Sequence, residues 1–112
     1  MLFRSVVKVL PIEAEVIKYF NNVHHGVQIT FANIIYEICQ KIGADYNNVY
    51  NAIIKRDCIN PHYLLVNQKF REFGGHCLPK DTKAINRLLD KLGLDFDLIQ
   101  ATLDDNEKVK NG

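Results

Sequence analysis

A chain of 112 residues with 14 Lys+Arg against 13 Asp+Glu carries almost no net charge, which argues against nucleic acid or an anionic membrane surface as a partner held by bulk electrostatics. An apolar fraction of 47% and a charged fraction of 24% are ordinary for one soluble domain of this length. No apolar run approaches the roughly 20 residues that span a bilayer, and Arg4 and Lys8 interrupt the apolar first ten residues, so neither a span nor a secretory signal is expected.

Residues 1–11 read as an extended, β-like lead-in that ends at Pro11. A long helix is predicted from about Ile12 to Ile42. Ile12, Val16, Phe20, Val23, Val27, Phe31, Ile34 and Ile38 recur three or four apart, which is one continuous helical stripe. Pro11 suits a first helical turn, Glu13 and Glu15 complement the dipole there, and Gly43 supplies the stop. A helix of this length in so small a domain suggests a spine between domains or a subunit interface. A second helix is predicted from about Tyr46 to Lys55, with Asp45 as its N-cap. Residues 56–78 hold Pro61 and the Gly74-Gly75 pair and read mostly as loop. The stretch Pro79 to Thr82 opens a third helix, to about Leu92, closed by Gly93, and a fourth follows from about Phe96 to Val109. The predicted fold class is all-α.

The chemistry concentrates in the loop Phe73-Gly74-Gly75-His76-Cys77-Leu78-Pro79-Lys80-Asp81-Thr82. The glycines permit close approach of a ligand to backbone. Cys77 stands immediately before the predicted helix start, where unpaired N–H groups and the dipole favour a thiolate. His76 and Lys80 add positive potential. Asp81 suits an N-cap and, four residues after the cysteine, is a carboxylate able to orient water. The alternative remains open that the glycines form a turn, Cys77 is a small hydrophobe and Asp81 a cap. On the long helix, Lys18, Asn22 and His25 recur four and three apart on one face, with Asn33 further along it. A lysine and an amide so placed can stabilise an oxyanion, and a solvated polar face is the competing explanation. The four histidines and three cysteines form no Cys-x-x-Cys and no His-x-x-x-His, so no metal site is expected. Three cysteines without paired spacing read as free thiols in a reducing cytosol.

Residues 13–106 resemble the central domain of the UDP-glucose/GDP-mannose dehydrogenase family. The resemblance rests on Phe73-Gly74-Gly75-x-Cys77-Leu78-Pro79-Lys80-Asp81, on Glu15-x-x-Lys18-x-x-x-Asn22, and on Phe31-Ala32-Asn33 followed by Gly43-Ala44-Asp45. It implies oxidation of a sugar-nucleotide primary alcohol to a carboxylate with two NAD⁺, through a thiohemiacetal and a thioester. It further implies Cys77 as nucleophile, Lys18 and Asn22 at the oxyanion, and Asp81 at the water. His25, Phe73, Gly74 and Gly75 fall to the substrate, and Lys80 lies near the cofactor. The domain division that follows is a lead-in at 1–11 and a central helical domain at 12–112. No Gly-x-Gly-x-x-Gly is present, so NAD is expected to be bound by a domain absent from this chain, which is expected to be inactive alone. A cytoplasmic enzyme of polysaccharide biosynthesis, acting on UDP-glucose, is the expectation, with GDP-mannose as the other substrate type. The resemblance also implies a homodimer through the long helix 12–42.

The sequence departs from the family pattern at Ile34, where a glutamate is usual, at Gln28, where a lysine is usual, and at Cys58 in Asp57-Cys58-Ile59, where an arginine is usual. These changes bear on substrate recognition. A non-catalytic helical dimerisation module with inherited side chains is the second reading, and the reactivity of Cys77 separates the two.

Overall fold

The computed structural model describes residues 8–59, 64, 66 and 77–111, apart from the side chains of Cys77, Leu78 and Asn111. The predicted lead-in strand up to Val7 and most of the glycine-rich loop, including Phe73, Gly74, Gly75 and His76, lie outside the described residues.

Four helices follow one another: α1 (Pro11–Ile42), α2 (Tyr46–Ile53), α3 (Cys77–Leu92) and α4 (Leu98–Asn111). The fold is all-α, with no strand among the described residues. Thirty-two residues at about 1.5 Å each make α1 a rod of about 48 Å, the long dimension of the molecule. Its ends are set locally. Leu10 is extended, Pro11 occupies the first turn, and the Glu13 carboxylate accepts the Leu10 N–H at 2.8 Å. At the other end Gly43 adopts φ 78°, which a side chain would resist, and the Ala44 N–H reaches back to the Cys39 carbonyl at 2.9 Å. Asp45 caps α2 as expected, accepting the Asn47 N–H at 2.9 Å.

The third helix begins earlier than the sequence suggests. Pro79 is its third residue rather than a marker of its start. The first turn has no intrahelical acceptor for its N–H groups, so a proline there costs nothing and the helix extends back through Leu78 to Cys77. Cys77 therefore opens the helix instead of preceding it. Asp81 is not an N-cap: it lies in the second turn, buried.

α3 and α4 pack side by side along α1, and α2 folds back against the C-terminal end of α1. The interior between them is small and mostly polar. Val23, Ala32 and Cys39 are the buried apolar residues among those described, against Thr30, Asn33, Asp81, Thr82, Thr102 and Asn106. Such a core is tolerable because its polar atoms are satisfied at home. The hydroxyls of Thr30 and Thr102 donate to the carbonyls of Gly26 and Leu98, at 2.9 and 2.7 Å, and the Asn33 amide donates to Ile29 at 3.0 Å. No buried side-chain nitrogen or oxygen among the described residues lacks a partner. Most of the stripe that the sequence marks on α1 stays outside: Phe20 is 73% exposed and Phe31 60%.

Candidate active site

Where α1 crosses α3, two of the residues marked by the sequence meet. The Asn22 side-chain amide donates to Asp81 Oδ2 at 2.6 Å, joining positions 59 residues apart. Each is held by a helix, so neither position depends on a loop. Asn22 is half-buried, and Asp81 is 3% exposed, with the fully buried Thr82 beside it. A carboxylate withdrawn from water needs compensation, and a charge-assisted bond of this length supplies part of it.

Lys18 lies one turn before Asn22 on α1 and is exposed. Its ammonium sits 3.4 Å from the Glu15 carboxylate and 5.3 Å from the centre of the Tyr19 ring. The Glu15 charge and its hydrogen bond hold the Lys18 ammonium above the ordinary lysine value, and the Asp81 charge adds to this from across the interface. The lysine is thus a permanent cation at neutral pH. That suits a group stabilising negative charge and disqualifies it as a base. Glu15, which the sequence reading used only for the helix dipole and the family pattern, is its nearest anion. The three-residue spacing to Lys18 was the available signal.

Cys77 is the first residue of α3, one turn ahead of Asp81. The structure thus places Lys18, Asn22, Asp81 and the helix start at Cys77 around one crossing of α1 and α3. His25 is half-buried one turn beyond Asn22, its ring 6.2 Å from that of His24. Lys80 is exposed. Among the described residues no three His, Cys, Asp or Glu side chains gather as metal ligands, and no helix is long and apolar enough to cross a membrane.

Among the described residues, a buried carboxylate on the helix that Cys77 opens is thus held by an amide of α1, with a cation one turn from that amide. The sequence profile of the UDP-glucose/GDP-mannose dehydrogenase family, central domain, matches residues 12–108, and the chain belongs to that family. It is 36% identical over 105 residues to UDP-glucose 6-dehydrogenase TuaD of Bacillus subtilis (strain 168), covering 94% of this chain and 22% of that protein. It is also 36% identical over 103 residues to a GDP-mannose 6-dehydrogenase of Pseudomonas putida, covering 90% of this chain and 23% of that protein. A third relative, the GDP-mannose 6-dehydrogenase of Pseudomonas syringae pv. tomato, is 34% identical over 99 residues, 88% of this chain and 22% of that protein. The chain spans about a fifth of the length of the curated relatives it matches.

Proposed function

We propose that this chain is the central segment of an NAD-dependent nucleotide-sugar 6-dehydrogenase of the UDP-glucose type, with Cys77 as its covalent nucleophile. The observation that carries the reading is the bond between Asn22 and Asp81, because it draws the lysine-bearing face of α1 onto the helix that Cys77 opens. The sequence contains no Gly-x-Gly-x-x-Gly turn and the described residues no strand, so they do not form a dinucleotide cradle, and NAD is assigned to a part of the enzyme outside them. What these residues perform is the acyl-transfer half of the reaction. The Cys77 thiolate adds to the carbon of a sugar aldehyde, and the carbonyl oxygen becomes an oxyanion facing Lys18. NAD⁺ held outside the described residues would take the hydride whose loss turns this adduct into a thioester, and Asp81 holds the water that attacks that thioester. The carbon–sulfur bond then breaks, releasing the carboxylate and returning the thiol. Asn22 keeps Asp81 aimed while the charge on the oxygen forms and disperses.

The exposed stripe of α1 favours a second role for the same helix, as the contact of a homodimer. The two roles coexist, since the stripe and the Lys18–Asn22 face lie on different sides of α1. If the segment served only as a dimerisation module, Cys77 would have no reason to be activated.

The test is site-resolved alkylation of Cys39, Cys58 and Cys77 across pH, read by mass spectrometry. Cys77 should react faster than the buried Cys39 and the exposed Cys58, with a midpoint below the roughly 8.5 of an ordinary thiol. A Cys77 rate no greater than that of Cys58, with an ordinary midpoint, would remove the nucleophile assignment.

A further inference from the structure

The Lys18 ammonium is held from two directions. The Glu15 carboxylate, one turn earlier on α1, lies 3.4 Å away, and the ring of Tyr19, the next residue, lies beneath the ammonium with its centre at 5.3 Å. The side chains of Lys18 and Glu15 are 51% and 53% exposed, and an ion pair so open to water restrains two long side chains only weakly. A lysine on a flexible four-carbon stem sweeps widely through solvent, so the carboxylate alone does not fix where the charge stands.

Tyr19 differs from Glu15 in being anchored. It is half-buried, and it lines a groove of about 370 Å³ together with Val23 of α1, Ile85 of α3 and Leu98 and Ile99 of α4. An aromatic side chain turns about two bonds only, and a ring set in such a wall keeps its plane. The electron-rich face it presents attracts a cation at this distance.

Helix geometry gives the direction of that pull. At about 100° per residue, Glu15 and Asn22 fall within about 20° of one line along α1. Lys18 stands about 40° to one side of Asn22, and Tyr19 about 60° to the other. With its ammonium over the Tyr19 ring, the Lys18 chain crosses the line on which Asn22 holds Asp81. The field at the ammonium agrees, since the charge of Asp81 acts on it after the charge and hydrogen bond of Glu15. Glu15 alone would draw the ammonium back toward the start of α1, away from Asn22.

We propose that Tyr19 is a positioning residue for Lys18, its ring face drawing the ammonium across α1 toward Asn22 and Asp81, where the oxyanion forms. This rests on the acyl-transfer reading above and adds the group that aims the cation.

The test changes the charge distribution of the ring while keeping its shape. Tyr19→Phe retains the face. Phenylalanines of increasing ring fluorination at position 19 keep the size and progressively weaken, then reverse, the attraction for a cation. Tyr19→Leu removes the face altogether. The readout is proton NMR of the Lys18 methylene next to nitrogen, which a ring face beneath it moves upfield of the same signal in the exposed Lys55. The upfield position should persist in Tyr19→Phe and be lost in Tyr19→Leu. It should also fade along the fluorine series, with the Lys18 titration midpoint falling in the same order.

A Lys18 signal indifferent to fluorination would make Tyr19 a wall of the groove and nothing more, and would overturn the proposal. Should Tyr19→Leu lose its helical circular dichroism, the fluorine series decides alone, because it leaves the packing shape unchanged. A Cys77 of ordinary reactivity would remove the acyl-transfer reading while the Lys18–Tyr19 contact stood, so the two failures are told apart.

Discussion

Replacing Asn22 by alanine removes the hydrogen bond from the polar face of α1 to the carboxylate of α3. The Asn22 amide donates at 2.6 Å to Asp81, whose residue is 3% exposed. After truncation that oxygen keeps its burial and loses its donor. The Lys18 ammonium does not replace it, because its nearest anion is Glu15 and its side chain is half in solvent. A hydrogen bond to a charged group contributes about 1.5–3 kcal/mol, and a buried acceptor left bare sits at the upper end of that range. For a domain of this size, a loss of about 2 kcal/mol lowers the thermal midpoint by roughly 10 °C. The assay is thermal and guanidinium unfolding followed by circular dichroism at fixed protein concentration, because association would otherwise move the midpoint. Asn22→Ala, Asp81→Ala and the double variant complete a cycle. Their coupling should be at least about 1 kcal/mol. If the two substitutions add to within about 0.3 kcal/mol, the bond does not hold the site together and the argument from it fails.

Two further outcomes follow from the charges. Glu15→Gln should bring the Lys18 titration, read by NMR at its side-chain carbon next to nitrogen, back down toward the ordinary lysine range, because Glu15 is the largest cause of its upward displacement. An unchanged titration would leave the pairing without effect. Burial, and then the charges of Cys39 and Tyr50, push the Tyr46 hydroxyl above the ordinary tyrosine value. The folded chain therefore holds that proton more tightly than the unfolded chain, and stability falls as pH rises from about 10 toward the folded value. Tyr46→Phe should flatten that alkaline decline. At neutral pH it should cost about 1 kcal/mol, through loss of the bond to the Leu64 carbonyl. A decline of equal steepness in the variant would assign the alkaline sensitivity elsewhere.

Much of this architecture is written locally. Pro11, Glu13 and Gly43 delimit α1 because caps and left-handed stops act within a turn of the residues that cause them. The start of α3 differs from the local expectation for the same reason: Pro79 looks like a first helical residue, but a proline is equally at home two positions further in. Aspartate favours caps, so the local pattern offers Asp81 as a cap beside its reading as a carboxylate that orients water. Its actual partner is 59 residues away, beyond the reach of any local rule. Lys18 and Asn22 were placed on one face by spacing alone, and the structure puts Asp81 against Asn22. The stripe from Ile12 to Ile38 was legible as a period. A period states that a helix has an apolar face, not that its own chain covers it.

That distinction explains the odd composition of the interior. In a helical unit that folded for itself, Phe20, Phe31 and Ile38 would turn inward and the threonines outward. Here the interhelical space takes the small side chains of Thr30, Thr82, Thr102 and Asn33, of which Thr30, Thr102 and Asn33 donate to carbonyls of their own helices, and side chains of this size let α1, α3 and α4 pack closely. Close approach is what lets a short side chain such as Asn22 reach Asp81 directly. The large apolar residues Phe20, Phe31 and Ile38 lie outside that narrow space and stay largely exposed, while Val23 at the edge of the stripe is buried. The polar crossing of Asn22 and Asp81 and the exposed stripe are thus two results of one division of side chains by size. A substitution that enlarged the interior, such as Thr82→Leu, would press α3 away from α1 and part Asn22 from Asp81 without touching either residue.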